Sequence, residues 1–218
     1  MRGLAVPRVM TVIGTVGLPG SGKSEAATVA SELDIPVVIM GDVIRQACRD
    51  RELDPATHHG EMARTLREEN GPDAIAQESL PRIREHLEDS DTVLVDGIRS
   101  DVEVERFVEA FGDEFLLVEI TAPDEERAER LDLRGRDASA AEGGESIEER
   151  DERELGFGMG EAMAMADLTV RNDGTLEAFH ERIRTLMTEG VDAVTDVEGV
   201  EAKGAIEANQ PAEHTDHT

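Results

Sequence analysis

The chain has no tryptophan, no tyrosine, one cysteine and, beside twenty arginines, only two lysines, Lys23 and Lys203. Without Trp or Tyr, any surface that stacks on a base must be built from Arg, His, one of five Phe residues or aliphatic side chains. The lone Cys48 excludes an internal disulfide framework, suits a reducing interior and reads as a small buried apolar residue. No apolar run approaches the roughly 18 residues needed to span a bilayer, and the N-terminus lacks signal-peptide organisation. The expectation is therefore a cytoplasmic protein with no membrane partner. Basic runs are absent too, so nothing is organised to neutralise a nucleic-acid backbone, and no nucleic-acid partner is expected.

What is abundant is acid. Fifty Asp and Glu residues against twenty-two Lys and Arg give a formal charge of -28 over 218 residues. Carboxylates spread along nearly every segment, with lysine almost absent, match the composition of proteins from salt-loving archaea better than a site for one basic partner. With 39% apolar residues, this length closes one ordinary core.

Five short runs rich in Val, Ile and Leu read as buried strands: Met10 to Val16, Pro36 to Met40, Thr92 to Asp96, Phe115 to Ile120 and Leu168 to Arg171. Between them, Ser24 to Leu33, Val102 to Phe111, Asp124 to Leu133 and Leu176 to Met187 carry helical periodicity. Alternation of this kind predicts an α/β fold of three layers, with a parallel sheet covered on both faces. Two stretches break the rhythm. Residues 43–88 are helical in pattern but too long for one crossover, and residues 134–165 hold Gly143, Gly144, Gly156, Gly158 and Gly160 around a charged helix. Both are expected to be insertions above one sheet edge, the second a mobile lid. The chain is thus expected to divide into one domain over 1–189 and a disordered acidic tail over 190–218, with Met1 to Val9 a dispensable extension.

Gly17-Leu18-Pro19-Gly20-Ser21-Gly22-Lys23-Ser24 fits G-x-x-x-x-G-K-[ST] and lies after an apolar strand, opening a helix. From the chain's own composition about 0.002 such matches are expected by chance. Loop amides and the helix N-terminus would cradle the phosphates of ATP, Lys23 would bridge the β- and γ-phosphates, and Ser24 would ligate Mg2+. Asp96, ending an apolar strand, is the candidate for the second magnesium element. Gly97 follows it where a hydrolytic ATPase commonly carries a water-activating Glu, and no Asn-Lys-x-Asp guanine motif exists.

At these residues the chain resembles the nucleoside monophosphate kinase group of P-loop proteins, notably adenylate kinase and dephospho-coenzyme A kinase. More closely it is similar to an archaeal P-loop family of nucleotide kinases or nucleoside triphosphatases, over about residues 10–189. The resemblance implies a five-stranded sheet of order 2-3-1-4-5 with an acceptor-binding insert and a lid. Met40-Gly-Asp42-Val-Ile-Arg45 is similar to the acceptor-phosphate segment of adenylate kinases, which implies Arg45 as a ligand and Asp42 as the group that orients or deprotonates the acceptor hydroxyl. A carboxylate at a strand's C-terminal end beside the loop suits that role, and an Asp capping the next helix is the alternative.

Asp96-Gly-Ile-Arg99 resembles the Asp-Gly-x-x-Arg of adenylate kinases but is one residue shorter, implying Arg99 as a second acceptor ligand. Arg130 and Arg134 share a helical face, and the resemblance implies an adenine-packing, phosphate-gripping pair. Arg150 and Arg153 could swing inward from the lid. Ala166-Asp-Leu-Thr-Val-Arg-Asn172-Asp-Gly174 is similar to the end of dephospho-coenzyme A kinases, implying base-edge contacts from Asn172 and Gly174. His58 and His59 have no third ligand at metal spacing and read as helix surface. The expected function is γ-phosphoryl transfer from ATP with Mg2+ to a small-molecule acceptor, such as a nucleoside monophosphate or dephospho-coenzyme A. Alternatives are a triphosphatase with water as acceptor and a regulatory module without turnover.

Overall fold

A computed structural model describes residues 10–133 and 146–203 of the chain. Each expected strand is present: β1 (Thr11–Val16), β2 (Val37–Ile39), β3 (Thr92–Asp96), β4 (Phe115–Thr121) and β5 (Leu168–Arg171). They pair in parallel in the order β2-β3-β1-β4-β5. Strands hydrophobic on both faces demand cover on both faces. One face packs against α2 (Gly41–Asp50), α3 (Pro55–Asn70), α4 (Ala74–Asp89) and α5 (Asp101–Phe111), with Ile75, Ile83, Val104 and Phe107 fully buried among the strand valines. The other packs against α1 (Lys23–Glu32) and α9 (Leu176–Glu189) through Ala26, Val29, Phe179 and Ile183.

Three expectations need correction. The sheet has six strands, because β6 (Val200–Ala202) pairs antiparallel with β5 after the short helix α10 (Val191–Thr195). Residues 191–202, expected to be tail, are therefore structured. Val194 and Val200 are buried in the α9 side of the core, and Lys203 Nζ reaches Glu119 at 2.5 Å. A three-residue strand and a five-residue helix are too short to print a period on the sequence. Positions 204–218 and the 1–9 extension lie outside the described residues.

The 43–88 stretch is likewise only partly an insert: α4 is the crossover helix, packed on the sheet through Ile75, Ile83 and Leu87, so α2 and α3 alone stand over the sheet edge. Gly60 and Pro81 sit inside helices, and the break falls at Gly71-Pro72. In the 134–165 stretch, α8 (Met159–Ala164) belongs to the core, with Met159 and Ala162 buried. Of the expected lid, α7 (Ile147–Leu155) remains outside the core, and residues 134–145 lie outside the described residues. Among the described residues no helix is long and apolar enough to cross a membrane.

Candidate nucleotide and acceptor site

The β1–α1 turn folds as the motif requires. Gly20 and Gly22 take φ of +79° and +119°, where a side chain is strained, and a Cβ on Gly22 would lie 2.3 Å from the Asn172 amide nitrogen. Lys23 Nζ donates to the carbonyl oxygens of Gly17 (2.5 Å) and Leu18 (3.2 Å). Burial is the main cause that lowers the Lys23 pKa to about 8; Asp96 and Glu154 pull it upward, and Arg99 and Arg127 push it down. The Ser21 hydroxyl is buried with no partner among the described residues.

A cavity of 320 Å³ opens on this loop, lined by Gly20, Gly22, Lys23, Ser24, Asp96 and Arg99, with Arg150 and Arg153 of α7 on the far wall. These residues fit the expected groups. The cradle is narrow backbone that tolerates no Cβ, the ammonium is at its centre, and the orphan hydroxyl lies beside it. Ser24 and Asp96 are two hard oxygen donors on one cavity. Among the described residues no cluster of three Asp, Glu, His or Cys could hold a cation alone. That donor set suits Mg2+, which takes one or two protein oxygens and fills its shell with phosphate and water.

A second cavity, of 780 Å³, shares Arg99, Arg153 and Glu154 with the first. Its other walls come from α3 (His59, Ala63, Arg64, Arg67), from Ser100 to Val102 at the start of α5, and from Ile44 and Phe157. Arg99 stands between the two cavities, its guanidinium held by both Glu154 carboxylate oxygens at 2.5 and 2.6 Å.

Not every expected residue meets there. Asp42 and Arg45 line neither cavity; Arg45 donates to Asp42 at 2.8 Å, and both side chains are substantially exposed. Arg130 lies on the other flank of the loop, donating to Glu126 at 2.5 Å, the Asn172 carbonyl at 3.0 Å and the Gly20 carbonyl at 3.4 Å. Asn172 is buried beneath the loop, its amide donating to the Ser21 carbonyl at 2.8 Å. In this arrangement the amide supports the loop. Gly174 is exposed, and Arg134 lies outside the described residues. Asn172→Ala is accordingly expected to weaken ATP and GTP binding by the same factor. A changed ATP to GTP ratio in paired titrations would restore the base-reading role.

Two contributors escaped the sequence reading. His59 lines the larger cavity; burial first, then Arg45 and Arg99, lower its pKa, against a main-chain hydrogen bond at Gly41, so the ring is neutral at neutral pH. Arg127 is buried at the start of α6 (Asp124–Leu133), where it donates to the Pro19 carbonyl (3.0 Å) and to both oxygens of Asp151 on α7 (2.9 and 2.6 Å). It ties the phosphate loop to α7. An Arg inside a run of Glu and Arg carries no mark of burial, since the signal is the partner twenty-four residues on.

A parallel sheet in this order, with a glycine loop between its central strand and the first helix, defines the P-loop kinase-like class of α/β domains. Within that class the chain belongs to the UPF0200 family. It is 58% identical over 178 residues to a UPF0200 protein of Halobacterium salinarum, covering 82% of this chain and 93% of that one. A UPF0200 protein of Methanothrix thermoacetophila is 48% identical over 183 residues, covering 83% and 98%. A family model described as an AAA domain (AAA_18) matches residues 13–154. Among solved structures, the Thermus thermophilus protein TT1252 superposes with a TM-score of 0.58 at 20% identity, covering 84% of this chain and 98% of that one. Shikimate kinase from Bacteroides thetaiotaomicron superposes at 0.52 and 15% identity, covering 82% and 98%. At these identities the structural likeness establishes the fold.

Proposed function

We propose that the protein is a cytoplasmic kinase that passes the γ-phosphoryl group of Mg-ATP to a small-molecule acceptor. The observation that carries this reading is the pair of adjoining cavities: one on the phosphate loop, the other 780 Å³ in volume and walled in part by apolar side chains. A hydrolase has no need of a second chamber of that size. The kinases among the structural neighbours agree with it.

Lys23 and the loop amides hold the β- and γ-phosphates and spread the charge that develops on them. Ser24 and Asp96 would hold Mg2+, which when bound supplies further neutralisation of phosphate oxygens. Arg99 and Arg153, at the shared wall, meet the transferring group from the acceptor side. An acceptor oxygen forms the new bond to γ-phosphorus as the bond to the β–γ bridging oxygen breaks, ADP leaves, and the acceptor hydroxyl gives up its proton. Asp42 takes that proton only if its pairing with Arg45 opens. Glu154, 5% exposed and at both cavities, is the other carboxylate in reach, and it takes the proton only if its pairing with Arg99 opens.

ADP formation in high potassium chloride, with and without nucleoside monophosphates and dephospho-coenzyme A, tests the reading. An acceptor is expected to stimulate ADP release, with Lys23→Ala at background. Turnover indifferent to every acceptor, with no phosphorylated product, would favour the triphosphatase reading, which the UPF0200 relatives leave open.

A further inference from the structure

We infer that the larger cavity seats a phosphate monoester group of the acceptor on Arg64, Arg67 and the Ser100 hydroxyl, a site separate from Asp42 and Arg45. The inference rests on the kinase reading for what the group belongs to. In a chain of charge -28, four arginines line this one cavity, Arg99 among them already paired with Glu154. Arg64 and Arg67 lie three residues apart on α3 and so share a face. Arg67 is fixed from behind: its guanidinium donates at 3.1 Å to Glu103, a carboxylate only 1% exposed whose other oxygen accepts the main-chain N–H of Arg99 at 2.8 Å. Glu103 is thus a positioning residue, and its charge is already matched.

Ser100 supplies the second, independent observation. It occupies the N-cap of α5 in extended conformation, the place where a serine normally bonds the helix's own amides, yet it makes no such bond. Its Oγ is buried without a partner among the described residues, in a residue 8% exposed that lines the cavity. A buried hydroxyl left unpaired costs about 1–3 kcal/mol, which a ligand oxygen would recover. Glu68, Asp101 and Glu154 also line this cavity, so an anion is met by directed donors there and not by a general positive field. Two guanidinium forks and a hydroxyl offer more donors than a carboxylate's two oxygens accept, and match the three oxygens of a phosphate monoester. Ile44, Ala63, Val102 and Phe157, the last 57% exposed, offer an apolar wall for the body of the same molecule.

The test uses the full chain at fixed potassium chloride, its phosphate loop saturated with Mg2+ and a non-hydrolysable ATP analogue, titrated calorimetrically with phenyl phosphate, benzoate and phenol. Phenyl phosphate should bind at least about 10-fold more tightly than either analogue. Arg64→Ala and Ser100→Ala should each weaken it by about 5-fold or more. Because Arg67→Met alone strands a buried carboxylate, it is paired with Glu103→Gln, and the pair should weaken binding likewise. Equal binding of benzoate and phenyl phosphate, or indifference to Arg64→Ala and Ser100→Ala, overturns the assignment. The measurement needs no turnover. An arginine-dependent phenyl phosphate site in a protein that releases only inorganic phosphate ends the kinase reading and leaves the site. Acceptor-stimulated ADP formation untouched by these variants does the reverse.

Discussion

Lys23→Met is expected to raise the Kd for ATP by at least about 100-fold while making the nucleotide-free protein more stable. The loss follows from removing charge-assisted bonds to two phosphates, each of about 1.5–3 kcal/mol. The gain follows from the lowered pKa. The ammonium is buried away from water and titrates at about 8 in the folded chain against 10.5 as a free side chain. Between those values the unfolded chain holds more proton on this residue than the folded one does, so wild-type stability rises with pH across that window. Below about pH 8 the penalty is fully in place, and above 10.5 it is gone. Methionine has no penalty to lose, so the variant's advantage, about 1–3 kcal/mol after its lost hydrogen bonds to Gly17 and Leu18, should shrink from pH 8 to 10.5 and reverse sign once only those lost bonds remain. Denaturant titrations of both proteins across that range check it; a difference that stays constant with pH would refute the buried-charge explanation.

Arg127→Met should produce the other large effect, this time on stability and lid position together. The Arg127 side chain is 3% exposed and its principal partner, Asp151, 18%. Removing the cation leaves that carboxylate and the Pro19 carbonyl without their donor, a loss of about 3–5 kcal/mol for a buried pair. For a chain of this size the midpoint should fall by roughly 10 °C. Arg127→Met combined with Asp151→Leu should regain most of the stability, because no charge is then stranded. It should not regain ATP turnover, because α7 is no longer tied to the loop. If the double variant is no more stable than the single one, the pair is not what joins them.

How much of this was legible in the sequence varies with the length of the signal. The phosphate loop was readable because its geometry depends on residues adjacent in the chain. The five parallel strands were readable because burial on both faces leaves uninterrupted runs such as Thr92-Val-Leu-Val-Asp96. The sixth strand was not: its pairing with Thr169 and Val170 lies some thirty residues away, and three residues carry no period. Asn172 was found for its position but its bond to the Ser21 carbonyl was not, since a motif locates a side chain near the nucleotide without saying which of its two ends faces the loop. Arg127, His59 and Ser100 carry no motif. Each acquires its role from a partner, or from the lack of one, created only when α3, α5 and α7 meet over the sheet edge.

The central claim is that the γ-phosphoryl group goes to an organic oxygen and not to water. Turnover of Mg-ATP in H2(18)O with a pool of small phosphorylated hydroxyl compounds, followed by phosphorus NMR and mass spectrometry, reads that directly. The account predicts ADP together with a new phosphoester and no 18O in inorganic phosphate. ADP matched one for one by 18O-labelled inorganic phosphate would contradict it.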